Sequence, residues 1–471
     1  MVLEAEDEVN KAKPRKQTEQ PKAVPVRQPT ASSSIAWPMM LPLIKAQVLA
    51  LQFQFNLTQW WSAEQLMAHQ LRQAEVLIRH ATRFAPFWKT RLAALDNLSR
   101  GELTMTRFRA IPILTRAEIQ DAGASLFSTA VPSDHGAPFA VRTSGSTGTP
   151  IAVRGTSMTW MMQNALSVRG HQWHKRDLAA KNVDVRTAYP PGREPKDPKW
   201  SPVPGAGPSL RIDIALPISE ILARVIAEDP VYLQTHPYTL LGMIESSRET
   251  GEKPRSLREV RTFGEALEPR IRLSAREAWD VPIVDNYSAN EVGTIAHQCP
   301  ESENLHGMAE SILVEVLDDD GKPCEPGAVG RVVLTSLHNF ASPLIRYANG
   351  DYARVGSHCA CGRGLPVLER VMGRQRNLLA LPSGERRFPQ SHLADFTAAP
   401  FRNFQITQTT LETMEVTLVV PRPWTAADEA ALRDHLTHVY RHPFDIAIAY
   451  VDHIDRASNG KYEEFKSLVA E

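Results

Sequence analysis

The chain has 471 residues, 42% of them hydrophobic and 23% charged, and its 53 Lys and Arg balance 53 Asp and Glu to a formal net charge of zero. That length suffices for two or three domains with sizeable cores, and the composition is that of an ordinary globular protein. Neutrality leaves no electrostatic footprint for nucleic acid or a membrane surface, and 4 cysteines in so long a chain exclude a disulfide framework.

Residues 1–36 mix Lys, Glu, Gln, Pro and Ser with almost no large apolar side chains. Such a segment cannot offset the entropy of ordering, so a disordered tail is expected. The apolar run Met39-Met40-Leu41-Pro42-Leu43-Ile44 is broken by Lys45 and Gln47 and follows a charged, proline-containing leader. Neither a spanning helix nor a signal peptide is expected there, and the chain reads as cytoplasmic. Ser62 and Gln65 form a capping-box pattern ahead of Met67, Leu71, Ala74, Ile78 and Ala81, one face of a helix that ends before Pro86.

In the run Thr143-Ser144-Gly145-Ser146-Thr147-Gly148-Thr149-Pro150, hydroxyls alternate with glycines between apolar flanks at 138–141 and 151–153. Glycines let successive N–H groups converge on an anion and the hydroxyls donate further bonds, as a phosphate-wrapping loop requires; a plain Ser/Gly turn is the alternative. It is not a P-loop, which needs Gly-Lys-Ser/Thr at a helix start. Residues 170–207, rich in Lys, Arg and Pro, read as a surface excursion. Beyond them the pattern gives a helix over 219–227 with Ser219 as N-cap, extended chain at 231–233, a helix over 240–250 and extended chain over 283–287. Alternation at Ile312, Val314 and Val316 and again over 332–335, with Asp320-Gly321 and Pro326-Gly327 turns between, predicts a hairpin or small barrel. After Gly373 come strands over 404–409 and 414–420, a helix over 426–440 and a strand over 445–451, a ββαβ order that makes a separate small α+β domain.

The Ser/Gly loop is followed in order by Gly264-Glu265-Ala266-Leu267, Asn286-Tyr287-Ser288-Ala289-Asn290-Glu291, Pro343-Leu344-Ile345-Arg346-Tyr347 leading to Gly350-Asp351, then Gly373-Arg374 and Ser458-Asn459-Gly460-Lys461-Tyr462. Together these stretches resemble the adenylate-forming superfamily, specifically its phenylacetate-CoA ligase-like branch, from about Trp60 to the C-terminus. The resemblance implies an α/β fold: a large multi-subdomain N-terminal adenylation domain of sheets and helices over 37–373, and a small α+β mobile lid over 374–471.

Position by position, it implies that Thr143, Ser144, Gly145, Ser146, Thr147 and Gly148 hold the ATP β- and γ-phosphates, with Thr147 near the metal. Gly264 and Glu265 would line the adenine pocket, and Tyr287, after the strand reaching Asn286, would stack on the base. Glu291 matches the acidic residue that helps hold Mg²⁺, Asp351 the carboxylate that accepts the ribose hydroxyls, and Arg374 the basic residue at the domain junction. Arg376 occupies the family's hinge position, where an acidic residue or lysine is usual. Lys461 matches the lysine that bridges the acyl carboxylate and the α-phosphate, where charge moves during transfer. Lys461, Glu291 and Thr147 are thus the catalytic candidates.

Cys299, His306, Cys359 and Cys361 offer soft thiolates and one imidazole, a set suited to tetrahedral zinc, and some relatives carry a structural zinc in this region. Separate reduced thiols are the alternative; His297 and His358 compete as ligands, and Cys324 reads as a bystander.

The implied activity is ATP- and Mg²⁺-dependent conversion of a small-molecule carboxylic acid to acyl-AMP, followed by transfer to coenzyme A, whose pantetheine would pass Gly384. An aromatic or arylacetic acid is the family-weighted substrate, although residues 170–207, with Trp173, Trp200 and several Arg and Lys, leave a polar or larger acid open. Tyr232, His236 and Tyr238 either line the acid pocket or form a helix-entry turn. Transfer to an amine or carrier protein, adenylyl transfer, and a catalytically degenerate nucleotide-binding protein are the rival readings. No nucleic-acid partner and no stable membrane insertion are expected, and a homodimer is left open.

Overall fold

A computed structural model describes residues 41–471 except 96–98, 143–150, 390–392, 394–395, 458–459 and 470–471. The expected tail over 1–36 and the Ser/Gly loop, with Thr143, Ser144, Gly145, Ser146, Thr147 and Gly148, lie outside the described residues.

The frame is an 11-stranded sheet that is parallel at one end and antiparallel at the other. Its order is Ile312–Leu317, Val329–Ser336, Tyr347–Val355, Val367–Arg374, Leu305–Gly307, Gly293–Gln298, Ile283–Ala289, Glu259–Phe263, Tyr232–Thr235, Asn182–Arg186 and Ser209–Asp213. The last five pair in parallel. Helices Ile218–Glu228, Pro237–Thr250 and Pro269–Trp279 lie between them in the chain, because parallel neighbours need a crossover. Val183, Val185, Leu233, Val260 and Ile283 bury one core with Ile221, Leu240 and Ile271 of those helices. Strands so covered read as apolar runs. Ile283–Ala289 is where the sheet changes sense, parallel to Glu259–Phe263 on one side and antiparallel to Gly293–Gln298 on the other. Open sheets place their ligand crevices beyond the carboxyl ends of strands at such a change of order.

Several local expectations hold. Ser62 and Gln65 close the capping box of Ala63–Phe84, and the chain leaves that helix into Pro86. The pair Ile312–Leu317 and Val329–Ser336 is a hairpin, but it continues into the large sheet and forms no barrel of its own. Ser219 does not cap its helix: Ile218–Glu228 starts one residue earlier behind Pro217, with no side-chain cap. A proline sets the entry φ by its ring, so the hydroxyl two places on is not needed as a stop signal.

Residues 170–207 are a surface excursion only in part: 187–199 runs as mostly exposed, irregular chain, but the stretch before it does not. Their first part completes the helix Ser157–Trp173, and Asn182–Arg186 is an inner strand whose Val183 and Val185 are fully buried. The strand has only five residues and sits among prolines and cations, so composition hides it. Helix Ser157–Trp173 escapes the periodicity because it is covered on more than one side: Met161, Met162, Ala165, Leu166, Val168 and Arg169 are all buried.

The C-terminal stretch forms a second sheet of 4 strands, in the order Asp445–Tyr450, Thr413–Val419, Asn403–Gln408 and Phe465–Ser467. Helix Ala426–Tyr440 packs on it, and Ile406, Val416, Leu418, Leu432, Leu436, Tyr440 and Phe465 share a separate apolar core. The ββαβ order of the sequence is present. The added strand Phe465–Ser467 has three residues, too few for a pattern, and pairs in parallel with Asn403–Gln408. Among the described residues no helix is long and apolar enough to cross a membrane.

Candidate active site

A cavity of about 750 Å³ opens between the carboxyl ends of the parallel strands and the C-terminal sheet. Gly264, Glu265, Asn286, Tyr287, Glu291, Asp351, Arg374 and Lys461 all line it. These residues come from five separate stretches of the chain. Gly264 follows strand Glu259–Phe263 at φ +83°; a Cβ there would also approach His236 Nε2 to 3.2 Å and Lys461 Cε to 3.7 Å. Glycine is required both for the left-handed turn and for the close approach.

Asp351 is the hub of a buried polar cluster. Its Oδ2 accepts hydrogen bonds from the Tyr287 phenol at 2.8 Å and from Asn349 Nδ2 at 2.6 Å, and Oδ1 stands 3.3 Å from Arg374 Nε. Asp351 and Arg374 are cross-strand partners, so pairing of Tyr347–Val355 with Val367–Arg374 sets this contact. Burial opposes the Arg374 charge, but Asp351 and then Glu291 outweigh it and hold the guanidinium above its usual pKa. Burial, and next the Asp351 charge, push the Tyr287 phenol well up, so it stays a donor. The Tyr287 side chain is packed into the core with 7% exposure and lines the cavity.

Lys461 ends a tight turn in which the Ala457 N–H donates to the Lys461 carbonyl at 2.9 Å. Burial and then Arg374 lower the pKa of its ammonium, against the pull of Asp351 and Glu265. The turn is tied down around it. Glu265 accepts from the Tyr462 N–H at 2.7 Å, Arg376 donates to Glu463 at 2.7 and 2.9 Å, and Arg270 pairs with Glu464. The Glu265 carboxylate, expected beside adenine, is therefore engaged by two backbone N–H groups, the second being Tyr238 at 3.1 Å. Burial raises its pKa to about 7. His236, at the N-cap of helix Pro237–Thr250, is pushed down to about 3 by burial and then by Lys461, and is neutral. His236 and Tyr238 line the cavity from this helix entry; Tyr232 does not, and its phenol accepts from the Asp177 N–H instead.

Glu291 lies 3.5 Å from Arg116, the first residue of helix Arg116–Ala122. Asn286 Oδ1 pairs with His297 Nδ1 at 2.7 Å and its Nδ2 donates to the Thr262 carbonyl, so it braces the strand ends it lies between. Sequence reasoning missed Arg116, Arg186, Arg211, Asn349 and Glu463, all at or beside the cavity. Arg116 had a local signal, the Thr115–Glu118 capping box just before it. Arg186 and Arg211 become neighbours through strand register, whereas Asn349 is two residues from Asp351 on the same strand.

Cys299, His306, Cys359 and Cys361 converge, their ligand atoms all within 4.8 Å of one another. Register explains it: His306 pairs with Val367, and the loop carrying Cys359 and Cys361 leads into Val367–Arg374. The Cys299 and Cys359 sulfurs are 3.7 Å apart, and Cys361 Sγ is 3.3 Å from His306 Nε2. Tetrahedral zinc with Zn–S bonds of about 2.3 Å places its sulfurs about 3.8 Å apart, so the donor set fits. His297 is committed to Asn286 and the Leu166 carbonyl, and His358 and Cys324 lie outside the group. Gly384 sits at φ +88° in a turn closed by its N–H to the Leu381 carbonyl.

The family model described as the CapK C-terminal domain matches residues 391–467. The chain is 28% identical over 258 residues to a phenylacetate-coenzyme A ligase of Thermus thermophilus, a match covering 51% of this chain and 56% of that one. The chain thus spans little more than half the length of that relative. Its fold is similar to that of 2-hydroxyisobutyryl-CoA ligase in the postadenylation state, with TM-score 0.68 and 16% identity over 84% of this chain and 88% of the other. To the same ligase in its thioesterification state the TM-score is 0.58, with 17% identity over 88% and 91% of the two chains. The fold is that of the adenylate-forming ligases.

Proposed function

We propose that this chain is an AMP-forming acid–thiol ligase: it activates a small carboxylic acid with ATP and passes the acyl group to coenzyme A. The observation that carries the reading is the meeting of Asp351, Arg374, Glu291 and Lys461, from distant parts of the sequence, around one cavity. The named activity of the relative in Thermus thermophilus supports it.

In the first step an acyl carboxylate oxygen attacks the ATP α-phosphorus and pyrophosphate leaves. Carboxylate and phosphate are both anionic, so a placed cation must offset the charge as the bond forms. Lys461 supplies it, steered by the Glu265–Tyr462 bond beside it. Asp351, oriented by Tyr287 and Asn349, accepts the ribose hydroxyls, and Arg374 pairs with that carboxylate and faces the nucleotide. Glu291 would hold Mg²⁺, a hard cation suited to carboxylate oxygen, which neutralises phosphate charge when bound. In the second step the coenzyme A thiol attacks the acyl carbonyl and AMP leaves, the proton passing to solvent.

The Cys299, His306, Cys359 and Cys361 group holds a structural zinc in this reading. Four protein ligands leave no open position, so the metal would pin the Cys359 loop to strand Leu305–Gly307 and activate nothing. The relative's name favours an arylacetic acid.

The test is pyrophosphate release over a panel of acids, with and without coenzyme A. Acid-dependent release, AMP formation that requires the thiol, and a loss of about two to three orders of magnitude in Lys461→Ala are expected. Undiminished acid-dependent pyrophosphate exchange in Lys461→Ala would exclude that lysine from the step.

A further inference from the structure

We propose that the acid held by this cavity carries a second anionic group, remote from the reacting carboxylate, and that Arg186 and Arg211 bind it. The inference rests on the acid-activation reading and specifies its substrate class. Both arginines line the cavity, and Arg186 belongs to the 170–207 stretch whose cations left a polar acid open. Arg186 ends the strand Asn182–Arg186, and Arg211 is the middle residue of the edge strand Ser209–Asp213.

Parallel register sets Asp184 opposite Arg211 and Arg186 opposite Asp213, so all four side chains belong to one face. Asp184 serves both guanidiniums, at 3.2 Å from Arg186 and 3.9 Å from Arg211. The Asp213 carboxylate is occupied by the Ala215 N–H at 3.1 Å. Neither aspartate is among the residues that line the cavity, whereas both arginines are. The cavity wall is therefore cationic there, with one carboxylate shared between two guanidiniums. The Nε atoms of both arginines are buried and meet no acceptor among the described residues. Burial, and next the Arg186 charge, lower the Arg211 pKa, as like charges crowded into one wall must do.

The two side chains are also held in place. The Arg186 guanidinium lies 4.6 Å from the centre of the Phe263 ring and that of Arg211 lies 3.6 Å from the Tyr189 ring. Stacking of this kind fixes the plane of the fork and leaves its edge for a carboxylate or phosphate. Phe263 in turn meets His236 edge-on at 4.8 Å, and His236 adjoins Gly264 and Lys461. A path thus runs from Arg186 over Phe263 and His236 to the amine assigned to the reacting carboxylate. Among the nucleotide candidates Gly264 adjoins the His236 end of this path, whereas the Tyr287–Asp351 cluster lies apart from the arginines. Tyr287 is on a strand three steps across the sheet from Asn182–Arg186, a separation of about 14 Å. This cationic end of the cavity suits a second anion on the acid.

The experiment measures pyrophosphate release by the full chain with matched acids: phenylacetate against its para-carboxylate, para-sulfonate and para-phosphate analogues, and hexanoate against adipate. The charged member of each pair is expected to have a KM lower by about tenfold or more, since ionised bidentate pairs are the strong ones. Arg186→Gln and Arg211→Gln should cut the ratio of kcat/KM for charged over neutral acid by about tenfold, with the loss in KM, and Arg211→Lys should restore part of it. Preference for carboxylate over sulfonate and phosphate would identify a dicarboxylic acid; the reverse order would identify a sulfonated or phosphorylated one. Turnover of neutral and charged acids with equal KM, or equal losses on both in the variants, overturns this inference alone. No acid-dependent pyrophosphate from any member overturns the activation reading and this inference with it.

Discussion

The Glu265 carboxylate accepts a hydrogen bond from the Tyr462 N–H at 2.7 Å, next to Lys461, while its other oxygen accepts from the Tyr238 N–H at 3.1 Å. One side chain at the end of a parallel strand thus joins the start of helix Pro237–Thr250 to the lysine turn. Glu265 bonds the backbone next to Lys461, so in the proposed reaction it is a positioning residue.

Removing that tie should loosen Lys461 without altering the nucleotide cluster. Above pH 7, where the Glu265 carboxylate is ionised, a hydrogen bond to it contributes about 1.5–3 kcal/mol, which corresponds to roughly a ten- to hundredfold loss. Glu265→Ala is expected to slow acyl-AMP formation by that factor, while conversion of supplied acyl-AMP with coenzyme A falls far less. Stopped-flow measurement of the two half-reactions separates them, and equal losses in both would show a merely structural effect.

Glu265 also makes stability depend on pH. Its folded value of about 7 lies above the ordinary 4.5, so folding takes up a proton. The contribution is full below 4.5 and is lost as pH rises toward and through 7, a change of about 3 kcal/mol over that window. Melting temperature of the wild type should fall between pH 5 and 8 more steeply than that of Glu265→Gln, which has no proton to lose. Parallel pH profiles would refute the buried-carboxyl origin.

Metal analysis decides the Cys/His group. The freshly purified chain should hold about one zinc, lost in Cys361→Ser together with several degrees of melting temperature. Cys324→Ser should keep the metal, because that thiol packs against Gly330, away from the group. A metal-free wild type ends the idea.

A buried ion pair supports the large sheet. Arg169 is fully buried and donates to both oxygens of Glu310 at 2.6 and 2.9 Å and to the Phe55 carbonyl at 2.8 Å. Truncating one partner strands the other charge at a cost of about 3–5 kcal/mol. Arg169→Ala should therefore lower the melting temperature markedly, and the double replacement Arg169→Met with Glu310→Leu should recover much of the loss. A drop no larger than that of a surface substitution such as Arg224→Ala would show the pair to be unimportant.

Short-range grammar was legible where it is local. The Ser62–Gln65 capping box, the hairpin from Ile312 and the ββαβ order after Gly373 follow from periodicity and turn chemistry within a few residues. The family resemblance carried by the ordered motifs implied that Asp351, Arg374 and Lys461 serve one site, and all three line the cavity. Helix Ser157–Trp173 was hidden because burial on several sides removes the polar face that periodicity detects, and strand Asn182–Arg186 because it is five residues long among prolines and cations.

The residue types that can meet an anion, a ribose or a soft metal, and their order along the chain, are properties of the sequence alone. Tertiary structure decided which of them share a partner: that Glu265 holds the Tyr462 N–H, that Arg376 holds Glu463, and that Arg186 and Arg211 share Asp184 at the cavity wall. Those relationships depend on strand order and register, which arise from packing among residues far apart in the chain, and no local pattern encodes them.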